Sequence, residues 1–150
     1  GKGCYPELST ASSTESGFVR HFGGDTVQMV CTGSLTPVAL KVVERLRRDQ
    51  LAVGLIEVFT VKPLSRELIR ELSGVEKIFV IEEHSSRGGL CADLAFVFRE
   101  SVTIVREIGR GIDRPTQHYG YGSREWHRAN EGLTEAAIES ELRSRLGRND

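Results

Sequence analysis

The sequence predicts a single α/β domain, a five-stranded and mostly parallel sheet covered by helices on both faces. Three observations lead there. Apolar, β-branched runs alternate with segments of helical periodicity, and three β-α-β connections in a row make a parallel sheet with both faces buried. The chain has 150 residues, room for one ordinary domain and not two. Its composition, 39% hydrophobic and 27% charged, is that of a folded globular protein, and no internal repeat interrupts it.

Residues 1–16, rich in Ser, Thr, Gly and Pro, read as a linker or extended arm, and residues 17–150 as the domain. Gly17-Phe18-Val19-Arg20-His21-Phe22 has strand character. Gly23-Gly24-Asp25 is a turn, and Thr26-Val27-Gln28-Met29-Val30-Cys31 is a second strand. The pair reads as a short hairpin, strand one antiparallel to strand two, with His21 an ordinary strand residue. Thr36 suits a helix N-cap with Pro37 in the first turn. Val38, Ala39, Val42, Val43 and Leu46 form the apolar stripe of a helix reaching about residue 50, with Glu44, Arg45, Arg47 and Arg48 on its wet side.

Residues 52–58 form a buried parallel strand. Ser65 caps a short helix to about Leu72, and Gly74 ends it. Residues 77–81 form the next strand, and residues 82–89 a polar loop. A helix over about 90–99 turns Leu90, Leu94, Ala95 and Phe98 inward, and the last strand spans 102–108. Residues 109–122 are irregular, Gly-rich and aromatic. Ser123 caps a short helix holding Trp126, and Thr134 caps a final helix with Ile138, Leu142 and Leu146 on one face.

Twenty Lys and Arg stand against 21 Asp and Glu, a formal charge of −1. Nucleic-acid binders usually carry a cationic excess, so that class is set aside. No apolar run reaches the roughly 18 to 20 residues that span a membrane. The three cysteines, Cys4, Cys31 and Cys91, have no zinc spacing and point to a reducing, cytoplasmic compartment. Cys31 reads as a core residue. Cys91 stands at a helix start, where a thiol can be activated, but the sequence fixes no basic partner for it.

Val27-Gln28-Met29-Val30-Cys31-Thr32-Gly33-Ser34, Glu57-Val58-Phe59-Thr60-Val61-Lys62-Pro63-Leu64, and Ile81-Glu82-Glu83-His84 followed by Gly88-Gly89-Leu90 stand in one order. The ending, from Ile108-Gly109 through Gly122-Ser123 to Gly132-Leu133-Thr134, completes the series. Together these segments resemble the C-terminal domain of the transketolase-like thiamine diphosphate enzymes over residues 17–146. The likeness is nearest to transketolases, including those split into separate N- and C-terminal subunits. Deoxyxylulose-phosphate synthases and the β subunits of 2-oxoacid dehydrogenases share the fold. The resemblance implies a three-layer α/β/α domain with a mixed five-stranded sheet, its first strand antiparallel. It also implies that thiamine diphosphate and magnesium belong to other domains of the parent enzyme, so that no cofactor is held by this chain. The implied role is assembly, as a homodimer and with the other domains or a separate subunit of the parent. The parent would move a two-carbon ketol unit between sugar phosphates, the isolated chain being inactive alone. Relatives commonly carry a further glycine where Cys91 stands.

The residues themselves agree with a non-catalytic part. Gly23-Gly24-Asp25-Thr26 has the Gly-Asp pair of a diphosphate motif but enters a strand without the Asn or acidic partner that magnesium needs. Glu82, Glu83 and His84 follow a buried strand at its C-terminal end, where ligands bind in open α/β sheets, and could in principle move protons. With Arg87, Gly88 and Gly89 they are read first as an interface loop and second as a substrate-access loop. Arg87-Gly88-Gly89, like Gly33 and Ser34, precedes a helix and reads as turn chemistry before anion binding. The segment 118–127, with Tyr119, Tyr121, Trp126, His118 and Arg124, reads as packing over a sheet edge or partner before base or sugar stacking. No residue is assigned to catalysis, cofactor or metal. The competing class is a free-standing small-molecule binder or enzyme using the crevice of the 32–36, 60–64 and 82–89 loops, but the sequence offers it no complete constellation. A chain whose single Met is Met29 reads as an excised or processed segment.

Overall fold

The computed structural model describes residues 16–84, 88–109 and 122–147. Five strands form one sheet: β1 (Phe18–Phe22), β2 (Val27–Thr32), β3 (Val53–Val58), β4 (Lys77–Ile81) and β5 (Ile104–Glu107). Five helices accompany them: α1 (Thr36–Arg48), α2 (Arg66–Leu72), α3 (Leu90–Val97), α4 (Arg124–Asn130) and α5 (Glu135–Leu146). The spatial strand order is β1-β3-β2-β4-β5. β2 is parallel to both β3 and β4, and β4 to β5, while β1 is antiparallel to β3. The predicted three-layer, mixed five-stranded α/β/α architecture is therefore present.

Side chains alternate across the central strands and separate two cores. Met29, Cys31, Leu55, Phe79 and Ile81 pack with Ala39, Val42, Val43 and Leu46 of α1 and Ile138 and Leu142 of α5. Val30, Ile56, Val58, Ile78 and Val80 pack on the other face with Leu68 and Leu72 of α2 and Leu90 and Leu94 of α3. On α5, Ile138 and Leu142 are fully buried. That helix is also tied to α1 by ion pairs of Lys41 and Arg45 with Glu135, and of Arg45 with Glu139.

The expected β1–β2 hairpin does not form. β1 instead pairs with β3, from Phe18 opposite Val58 to Phe22 opposite Leu55, with a register irregularity between Arg20 and Phe22. The four residues after Phe22 carry the chain across the start of β3, and two glycines permit this. A Cβ on Gly24 would stand 2.4 Å from the Gly54 nitrogen, and one on Gly54 would stand 2.1 Å from Oε1 of the buried Gln28. Gln28 donates to the Phe22 carbonyl at 3.4 Å, and Arg47 donates to the carbonyls of Gly23 and Val53, both at 3.0 Å. Strand one is thus antiparallel in sense, but its partner is the third strand.

Two smaller expectations also change. Thr36 is not the N-cap of α1: Gly33–Leu35 form a 3₁₀ turn, and the Thr36 hydroxyl donates back to the Gly33 carbonyl at 2.9 Å. Ala95 is exposed, because α3 turns Leu90, Leu94 and, in part, Cys91 inward, with Phe98 just beyond it. The expected caps of α2, α4 and α5 are formed, with Ser65, Ser123 and Thr134 accepting from Leu68, Trp126 and Ala137 at 3.2, 3.2 and 3.3 Å. No helix among the described residues is long and apolar enough to cross a membrane.

Candidate functional site

The C-terminal ends of β2 and β4 lie side by side, Cys31 opposite Ile81. The Thr32–Ser34 turn therefore sits beside the Glu82–His84 segment. Consecutive residues leaving a strand point in opposite directions, and the two glutamates divide accordingly.

Glu82 turns inward and is 3% exposed. Its Oε2 accepts from the backbone nitrogen of Leu90 at 2.8 Å and its Oε1 from that of Cys91 at 2.9 Å. These are orphan donors of the first turn of α3, so a carboxylate eight residues upstream does the work of an N-cap. Gly89 holds the capping position in extended backbone without a side chain of its own. A Cβ there would stand 2.5 and 2.6 Å from the two carboxylate oxygens. Gly88 has φ +88°, in the left-handed region that favours glycine, and its carbonyl accepts from Lys62 at 2.9 Å.

Glu83 turns toward α4. It accepts from the Ser34 hydroxyl at 2.7 Å, from Arg124, and from Nε of Arg128. Arg128 also donates to the Ser34 carbonyl at 3.1 Å and hydroxyl at 2.9 Å. Partial burial by itself raises the Glu83 pKa. The hydrogen bonds from Arg124, Ser34 and Arg128 outweigh that burial and bring it down to about 2. Glu83 is therefore a fixed anion and a poor proton carrier near neutral pH.

His84 is exposed at the rim, and Arg87 lies outside the described residues, as do His118, Tyr119 and Tyr121. Trp126 is 48% exposed and meets His127 edge-on at 5.0 Å. His21 makes a 2.9 Å contact to Glu57 between β1 and β3, both side chains nearly buried. Burial pushes the thiol of Cys91 up to about 12, helped by the charges of Glu107 and Glu82, so the helix start does not activate it. Burial likewise pushes Cys31 up to about 12.

Sequence reasoning found the Glu82–Glu83 loop but missed Ser34, Arg124 and Arg128 as its partners. The legible signal was the i, i+4 spacing of the two arginines, which puts both on one face of α4.

The described residues do not fit a magnesium diphosphate. Asp25 stands on the turn before β2, at the opposite end of the parallel strands from Glu83. Among the described residues no group of three His, Cys, Asp or Glu side chains could hold a metal ion. What the strand ends can do chemically is to fix geometry through a buried helix cap on one side and an ionic cluster on the other.

Comparison with known proteins agrees with this architecture. Residues 18–126 match the family model described as transketolase, C-terminal domain. Mouse (Mus musculus) transketolase is 31% identical over 86 residues, which are 55% of this chain and 14% of that protein. The 1-deoxy-D-xylulose-5-phosphate synthase of Chlamydia muridarum is 35% identical over 71 residues, 47% of this chain and 11% of that protein. Among solved structures, a split-gene transketolase seen as an inactive β4 tetramer superposes with a TM-score of 0.77 at 25% identity, covering 94% of this chain and 46% of that one. The matches thus span less than half the length of these relatives. The chain belongs to the transketolase C-terminal domain family.

Proposed function

We propose that this chain is the assembly domain of a transketolase-type enzyme that moves a two-carbon ketol unit between sugar phosphates with thiamine diphosphate and magnesium. The hard chemistry is the cofactor's, and in this reading the cofactor sits on other domains. The chain contributes by holding subunits and neighbouring domains in the geometry that builds the site. One observation carries the reading. Both strand-end carboxylates, the groups best placed for proton transfer, are committed to structural contacts, Glu82 to the start of α3 and Glu83 to Ser34, Arg124 and Arg128. In this reading the loop of Glu82, Glu83, His84, Arg87, Gly88 and Gly89 serves as an interface rim.

The β4 tetramer of the split-gene relative supports self-association. Light scattering across a concentration series tests it. A dimer is expected, and a strict monomer at high concentration would contradict the self-assembly part. The similarity to the Chlamydia synthase supports a second parent, a deoxyxylulose-phosphate synthase, in which the domain would play the same part.

A further inference from the structure

Helix α4 is held differently from the other described helices. α1, α2, α3 and α5 each bury at least two side chains, whereas α4 buries none. A helix of seven residues does not persist in water on propensity alone. It is tied to the sheet through polar groups: Arg128 on Glu83 and on the Ser34 carbonyl and hydroxyl, and Arg124 on Glu83 and the Ser34 hydroxyl. Arg124 is itself 57% exposed, so salt reaches the Arg124 side of the cluster first, while Arg128 at 18% is screened less. Glycines stand on either side: Gly122 just before the cap, and Gly132, at φ +71°, after the helix. Beyond that point Leu133 is buried in the core, which anchors the downstream end.

We infer that α4 is an ion-latched strap over the ends of β2 and β4. Salt ions, screening Glu83 from Arg124 and Arg128, release it about Gly122 and Gly132 and uncover Ser34 and Glu83. Screening weakens such a latch, because the Debye length falls from about 10 Å at 0.1 M to about 3 Å at 1 M salt. Apolar burial is not weakened in this way, so the two cores stay closed while the strap lifts. The inference rests on the geometry of this chain and holds whichever parent enzyme it serves.

The test uses Trp126, the sole tryptophan of the sequence, which lies on α4 with Gly122 against its ring. At 48% exposure its accessible surface doubles on release, so its acrylamide quenching constant should rise about twofold. The wild-type chain should show this rise between low salt and about 1 M sodium chloride. Glu83→Gln should show it already at low salt. Far-UV circular dichroism should barely change in either case. Lys41→Ala, which breaks an ion pair between α1 and α5, should follow the wild-type curve. Equal quenching of wild type and Glu83→Gln at every salt concentration would overturn the inference. So would a Trp126 change that coincides with cooperative loss of the sheet signal. If Glu83→Gln fails to fold, the wild-type salt titration decides alone, a flat curve ruling the latch out.

Discussion

Removing Glu82 separates a structural carboxylate from a chemical one. Glu82→Ala leaves two first-turn donors of α3 without their acceptor, the buried nitrogen of Leu90 and the half-buried nitrogen of Cys91. A buried N–H without a partner costs about 1–3 kcal/mol, and loss of a helix N-cap about 0.5–2 kcal/mol. Water reaches the Cys91 nitrogen more easily than that of Leu90, so the total should be about 2–4 kcal/mol. At about 3 °C per kcal/mol for a domain of this size, Tm should fall by about 6–12 °C. Glu82→Gln keeps the shape but turns an amide N–H toward one of the two donors, so it should recover little. Urea unfolding followed by far-UV circular dichroism, with the m-value unchanged, measures this directly. A loss of less than about 0.5 kcal/mol, or a gain in stability, would refute the reasoning, since a gain is what removal of a carboxylate reserved for chemistry tends to give.

Gly89→Ala places a Cβ within 2.6 Å of both Glu82 oxygens and should approach the cost of Glu82→Ala; the double variant should be no worse than Glu82→Ala alone, which a double-mutant cycle checks. Gly54→Ala drives a Cβ into Gln28 where the chain crosses from β1 to β2, and should cost about 1–3 kcal/mol in urea unfolding. The carboxyl of Glu83 is held at about 2 against 4.5 when free, so its stabilisation is complete above pH 4.5 and is lost as pH falls toward 2. That span corresponds to about 3 kcal/mol before screening, and solvent around Arg124 reduces it to about 1–2 kcal/mol; wild type should therefore lose more stability over that window than Glu83→Gln. Cys31 and Cys91, with thiols pushed up to about 12, should resist alkylation at about pH 8 until the chain unfolds, as peptide mass spectrometry would show.

The central sheet was legible because β2, β3 and β4 are buried on both faces and so appear as continuous apolar runs with helical patterns between them. The caps at Ser65, Ser123 and Thr134 were legible because capping is local: the side chain reaches a nitrogen only three residues on. The partner of β1 was not, because a two-strand pattern joined by Gly-Gly-Asp is the same whether the strands pair or straddle a third. What decides it is the approach of Gly24 to Gly54, a contact thirty residues apart in sequence. Ala95 misled because a small side chain fits either face of a helix. In the candidate site, the paired glutamates were found from their place after a buried strand. Their division of labour depends on partners far along the chain: α3 takes Glu82, while Arg124 and Arg128 reach Glu83 from 41 and 45 residues away.

In the proposed function this domain shapes an enzyme without holding its cofactor. Calorimetric titration of thiamine diphosphate, in the presence of magnesium, into the chain tests it most directly. No saturable heat is expected. Saturable binding of one cofactor per chain, lost on replacing Glu82 or Glu83, would contradict it and make the strand ends a cofactor site.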